Sequence, residues 1–132
     1  MNLFQLEETK LHSGRVSSFK IECDALTTQD IECLAWLVSR MVGKFRSVVG
    51  VPRGGTRIAE ALIRYSCDEC DTRLIVDDVL TTGGSMTRLR DKLSAESKTP
   101  FYLYRGAVLF ARGKCPDWIR ALNPLPEELF EC

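Results

Sequence analysis

The sequence has no excess of either charge, no long apolar run and a single histidine. Its 18 basic and 18 acidic residues cancel, and no segment gathers Lys and Arg into the footprint of a nucleic-acid surface. No stretch approaches the roughly 20 consecutive apolar residues of a membrane-spanning helix. The opening residues MNLFQLEETK lack a basic region followed by an apolar run. These absences exclude a membrane partner and a nucleic-acid partner as first expectations, and they place the protein in the cytoplasm. Six cysteines with no secretory pattern read as reduced thiols rather than a disulfide set. Cys67 and Cys70 have the spacing of half a zinc site, but no second close pair accompanies them and His12 is the one histidine. The segment reads as a polar turn. Internal repeats and low-complexity segments are missing too.

What is present fits one compact domain over residues 1–132: the length and the 45% apolar content suffice for one core and are too small for two. In residues 27–44, Ile31, Leu34, Ala35, Val38, Met41 and Val42 recur at helical spacing, with Thr27 or Thr28 as N-cap and Gly43 near the end. A β-branched run, 47–51, stops at Pro52 and is followed by Gly54 and Gly55, which marks a buried strand entering a tight loop. A helix over about 56–65 comes next, carrying Ile58, Ala61, Leu62 and Tyr65 on one face. After a polar turn the unit repeats: Leu74, Ile75 and Val76 as strand, a glycine loop, then a helix bearing Met86, Leu89 and Leu93. A third strand is expected near 102–110. Alternating strands and helices predict an α/β fold, a short mostly parallel sheet flanked by helices. Residues 1–26 and 112–132 do not follow the alternation and read as a small hood over a core at about 27–111.

In open parallel sheets, ligands sit at the carboxyl ends of the strands, where both glycine loops fall. In the run from Leu74 to Met86, Asp77 and Asp78 leave a buried strand, and burial of carboxylates is costly unless something pairs with them. The vicinal hydroxyls of a ribose, with Mg2+ nearby, would supply the partner. Thr81, Thr82, Gly83, Gly84 and Ser85 follow at the start of a helix, where free N–H groups and the helix dipole attract phosphate. Neither Gly-x-x-x-x-Gly-Lys-Ser/Thr nor Gly-x-Gly-x-x-Gly occurs, so the loop belongs to neither of those phosphate-binding classes.

The segment from Leu74 to Met86 resembles the thirteen-residue phosphoribosyl-pyrophosphate motif of type I phosphoribosyltransferases, with apolar run, acidic pair, apolar pair and Thr-Thr-Gly-Gly-Ser in the family's order. The resemblance implies that Asp77 and Asp78 hold the ribose hydroxyls of 5-phosphoribosyl-1-pyrophosphate, and that the stretch containing Val79 and Thr81 to Ser85 wraps the 5-phosphate. It implies further that Pro52, Arg53, Gly54 and Gly55 form the pyrophosphate loop, with Arg53 and Asp78 as the catalytic pair. Arg57 is a second candidate for the diphosphate charge. Mg2+ would arrive on the diphosphate rather than on a dedicated protein site, and a homodimer is implied by the family alone.

Leu11-His12-Ser13-Gly14-Arg15-Val16-Ser17-Ser18 resembles the base-covering hood segment of orotate phosphoribosyltransferases, which makes a nucleobase the second substrate and His12 and Arg15 candidate contacts to it or to the diphosphate. An ordinary turn before a strand explains Ser13-Gly14 equally well. His12 replaces the family's lysine, Thr9 its phenylalanine and Ser18 its proline, so the acceptor stays open between orotate and another pyrimidine or purine. Residues 66–72 occupy the place where orotate enzymes carry a long basic hairpin. Two activities therefore fit the chain: phosphoribosyl transfer to a base with release of pyrophosphate, or non-catalytic, regulatory binding of the same diphosphate.

Overall fold

The computed structural model describes residues 1–10, 16–97 and 103–125, with the side chains of 7–10 and 16–18 left aside. Strands β1 (Phe4–Lys10) and β2 (Val16–Ile21) form an antiparallel hairpin, and a single 3-10 turn over Cys23–Ala25 leads out of it. Helix α1 (Thr28–Val42) opens on a capping box: Thr27 Oγ1 accepts from the Asp30 N–H at 3.0 Å while Asp30 Oδ2 accepts from the Thr27 N–H at 2.9 Å. It ends at Gly43, whose φ of 75° is open to glycine without strain. Then follow β3 (Ser47–Gly50), α2 (Thr56–Leu62), β4 (Thr72–Leu80), α3 (Gly84–Glu96), β5 (Leu103–Ala111) and β6 (Ile119–Pro124).

The main sheet has the order β3-β4-β5-β6, with every neighbouring pair parallel. Because side chains alternate across a strand, β4 sends Leu74 and Val76 to one face and Ile75 to the other. The first face, with Ala107 and Leu109, packs against Ile31, Ala35, Val38 and Val42 of α1 and Ile58 and Leu62 of α2. The second, with Val108 and Ile119, packs against Met86 of α3. Both faces of the central strands are thus covered, which is why those strands read as unbroken apolar runs.

Three boundaries differ from the sequence reading. The strand carrying the acidic pair runs on to Leu80, so Asp77 and Asp78 lie within its last turn of pleat rather than beyond it. The α-helix after the first glycine loop stops at Leu62, and a 3-10 turn takes over at Ile63–Tyr65, where Ile63 is exposed. The C-terminal segment is no lid as far as residue 124: β6 extends the sheet, pairing Ala107 with Arg120 and Val108 with Ala121. The hood of the described residues is the β1–β2 hairpin. It is fastened to the end of β5 by an edge-to-face contact of Phe4 with Phe110 at 5.6 Å and by Arg112, which donates to the Phe19 carbonyl.

Candidate functional site

The carboxyl end of β4 is the centre of the site. Its neighbour β3 delivers the 51–55 loop alongside it: the Val51 N–H donates to the Val76 carbonyl at 2.9 Å, and the Gly55 N–H closes the turn on the Val51 carbonyl at 2.8 Å. The Pro52–Arg53 peptide bond is cis. At Gly54 the loop touches β4, since a Cβ there would overlap the Asp78 carboxylate. Only glycine lets the backbone approach that close.

On one side of this junction lies a cavity of about 180 Å³ floored by Asp77 and walled by residues 81–86. Gly83 turns the chain into α3 with φ 83°, a left-handed conformation that suits glycine. Thr82 Oγ1 accepts from the Gly84 N–H at 3.2 Å, ordering the loop, and the first turn of α3, with no side-chain cap, lines the cavity through Gly84, Ser85 and Met86. The loop is backed by Pro116, which lies 3.0 Å from where a Gly83 Cβ would stand. These are hydroxyl and N–H donors at the start of a thirteen-residue helix, a kind of surface that attracts phosphate groups.

On the other side a cleft of about 390 Å³ is lined by Arg53, Gly54, Arg57 and Asp78, and by Glu22 and Cys23 at the base of the hood. Arg57 is partly committed, donating to the Leu26 carbonyl at 2.9 Å. Cys23 has its thiol pushed up to about 12, first by burial and then by the negative charges of Asp78, Glu22, Asp24 and Asp77.

The acidic pair is wired through its own backbone: Asp77 Oδ1 accepts from the Asp78 N–H at 2.8 Å, and Asp78 Oδ1 accepts from the Val79 N–H at 2.7 Å. Burial pushes the Asp77 carboxyl up to about 8, helped by the hydrogen bond and the charge from Asp78 and opposed by the Asp78 N–H. A carboxyl that keeps its proton at neutral pH can donate as well as accept, which matches the two-way hydrogen bonding of a diol. Among the described residues no three His, Cys, Asp or Glu side chains converge to hold a metal ion.

The structure thus brings together Pro52, Arg53, Gly54, Gly55, Asp77, Asp78, Val79 and the stretch from Thr81 to Ser85, all from the sequence reading. His12 and Arg15 lie outside the described residues. Charged residues that the sequence reading did not anticipate also line the site, Arg88 and Glu22 among them. Arg88 lines the smaller cavity; its spacing of three from Ser85 along a helix was the available signal. Glu22 lines the cleft, and nothing in the sequence marks it. Arg112, buried to 5% exposure, directly follows the apolar end of β5 and reaches the β1–β2 hairpin rather than either cavity.

No family model and no curated protein matches the sequence. Solved structures do. An orotate phosphoribosyltransferase from Aeropyrum pernix superposes with a TM-score of 0.76 at 21% identity, over 93% of this chain and 88% of the other. A phosphoribosyltransferase from Corynebacterium diphtheriae gives a TM-score of 0.65 at 13% identity, over 86% of each chain. The orotate phosphoribosyltransferase of Mycobacterium tuberculosis, solved in complex with inorganic phosphate, gives 0.62 at 14% identity over 89% and 85%. The likeness shows a shared fold. The resemblance that one thirteen-residue segment carries in the sequence extends, in architecture, to nearly the whole chain.

Proposed function

We infer that the chain binds 5-phosphoribosyl-1-pyrophosphate across the end of β4 and transfers its phosphoribosyl group to a nucleobase, releasing pyrophosphate. One observation carries this reading: Asp77 and Asp78 stand between a phosphate receptor on one side and the Arg53–Gly54 turn on the other. A ribose with a phosphate at one end and a diphosphate at the other is a ligand that uses all three parts.

In this reading the 81–85 loop holds the 5-phosphate and fixes the sugar in place. Asp77 and Asp78 bind its hydroxyls. Arg53 meets the diphosphate, where a guanidinium offers planar, charge-assisted donors to phosphate oxygens. As the bond from the anomeric carbon to pyrophosphate lengthens, positive charge grows on the ribose and negative charge on the leaving group; Asp78 stabilises the first and Arg53 the second. The base nitrogen attacks the same carbon from the opposite face, and the protein contributes position and charge. Mg2+ would come bound to the diphosphate and offset part of its charge, near Asp77 and Asp78; a small cation that keeps most of its waters needs no closed protein cage.

Orotate is the first acceptor to test, on the strength of the resemblance of residues 11–18, with other pyrimidines and purines beside it. The homodimer and a cytoplasmic location are proposed on the same family resemblance; no helix among the described residues is long and apolar enough to cross a membrane.

A second reading, regulatory binding without transfer, is favoured by the short connection from α2 to β4. Residues 66–71 hold three acids and no base, and the Cys67 N–H ties them down to the Phe45 carbonyl at 2.8 Å. A loop so held brings no cation over the leaving group. Calorimetry with phosphoribosyl pyrophosphate and Mg2+, followed by addition of orotate, uracil, hypoxanthine, guanine, xanthine and adenine with a pyrophosphate-release assay, separates the two. Binding with release supports transfer. Binding without release for every base leaves the regulatory reading, and absence of binding removes both.

A further inference from the structure

Two arginines, two residues apart on α3, are used in different ways. Arg90 stacks over the Trp118 ring at 4.6 Å and pairs with Asp91 at 3.4 Å. Arg88 is exposed and turned toward the phosphate receptor, whose cavity it lines. Its Nη2 donates to Ser85 Oγ at 3.3 Å, and its Nη1 lies over Gly84, 3.2 Å from where a Cβ would stand. Among the described residues no carboxylate pairs with Arg88; Asp91, one turn along the helix, is held by Arg90. The remaining donors of the receptor, threonine and serine hydroxyls and backbone N–H groups, are neutral.

We propose that Arg88 is a direct ligand of the phosphate monoester held by the 81–85 loop, and that it supplies the fixed positive charge that lets this half of the site bind a dianionic phosphate without a metal ion. The inference rests on the reading of that loop as the 5-phosphate end. Its weak, solvent-exposed hydrogen bond to Ser85 costs little to exchange for a charge-assisted bond to a phosphate oxygen. The missing side chain at Gly84 leaves the guanidinium free to lie flat against the loop.

The test is calorimetry on the full chain in the presence of EDTA, with inorganic phosphate and, separately, ribose 5-phosphate. The wild-type protein binds both without Mg2+. Arg88→Ala weakens both by about tenfold or more, the loss expected for a hydrogen bond to a charged group, and Arg88→Lys recovers part of it because the charge returns without the planar fork. Arg90→Ala leaves affinity unchanged, and thermal unfolding shows each variant folded. The salt dependence of binding becomes shallower in Arg88→Ala. Affinity within about twofold of wild type in Arg88→Ala, a ratio too small for a lost ligand, overturns the proposal, as does phosphate binding that appears only with Mg2+. Phosphate binding that depends on Arg88 in a protein that ignores phosphoribosyl pyrophosphate would instead remove the ribosyl reading and leave Arg88 in place; a wild-type protein that binds neither anion removes both.

Discussion

The α-carbon of Gly54 lies flush against the carboxylate of Asp78, with no room for even a methyl group between them. The contact joins the loop after β3 to the end of β4, so it sets the spacing between the two halves of the proposed ligand site. Gly54→Ala must push Asp78 aside or lift the loop. Overpacking of this kind costs about 1–3 kcal/mol, and here the strain falls on groups assigned to the ligand rather than on the core. The expected result is a folded protein whose affinity for phosphoribosyl pyrophosphate drops about tenfold or more, read by calorimetry beside a thermal melt. Unchanged affinity would mean that Asp78 and the 51–55 loop do not act together.

Asp77 makes stability depend on pH. Its carboxyl is pushed up to about 8 in the fold, against about 3.9 in an unfolded chain. Between those values the folded protein keeps a proton that the unfolded chain has released, so the contribution is full below about pH 4 and is lost as pH rises through about 8. Asp77→Asn has no proton to lose. Melts between pH 5 and 8.5 should show the wild type falling by about 3 °C or more relative to the variant, on the scale of a destabilisation of about 1 kcal/mol in a domain this size. Parallel curves for the two proteins would sink this account of the pair.

Arg112 ties the hood to the sheet. Its guanidinium sits 4.4 Å from the Phe19 ring centroid and donates to the Phe19 carbonyl, while its own N–H bonds the Leu80 carbonyl at 2.7 Å. One residue therefore links β2, the strand carrying the acidic pair and the end of β5. Removing its side chain leaves a shielded carbonyl unpaired and strips a cation from an aromatic face. Arg112→Ala should cost about 1.5–3 kcal/mol, the range for hydrogen bonds to charged groups. Hydrogen exchange adds a local readout: the amides of β2 should lose protection before those of β4. Uniform loss across the molecule would make Arg112 an ordinary core residue rather than a fastening.

How much of this was legible in the sequence depends on the range of the forces involved. The phosphate loop and the acidic pair were readable because one continuous segment encodes strand, turn and helix start, and because glycine and hydroxyl residues there answer to local geometry. Helix α1 was readable for the same reason: a threonine N-cap and the spacing of Ile31, Ala35, Val38 and Val42 all act within one element, while the part of Asp30 in the cap emerged only with the structure. Strand β6 was not. Only Ile119 of its six residues is buried, so it shows no alternation, and its place is set by pairing with β5. Arg112 and Glu22 were missed on similar grounds: Arg112 finds its partner at Phe19 and Glu22 meets the cleft beside Arg53 and Asp78, both far along the chain. Arg88 is the intermediate case, one helical turn from a motif already recognised.

Cys23 and Cys33 should differ sharply in reactivity. Cys33 is exposed on α1. Cys23 lines the cleft among four carboxylates, and burial together with those charges pushes its thiol up to about 12. The thiolate is the reactive form, so at pH 8 only about one Cys23 in ten thousand is ready to react. Brief treatment with iodoacetamide at pH 8, followed by peptide mapping, should find Cys33 modified and Cys23 intact. Denaturation in urea before the reagent should abolish the difference, because unfolding removes both the burial and the neighbouring acids. Comparable labelling of the two in the native protein would place Cys23 in open solvent, and the floor that the hood gives the cleft would have to be redrawn.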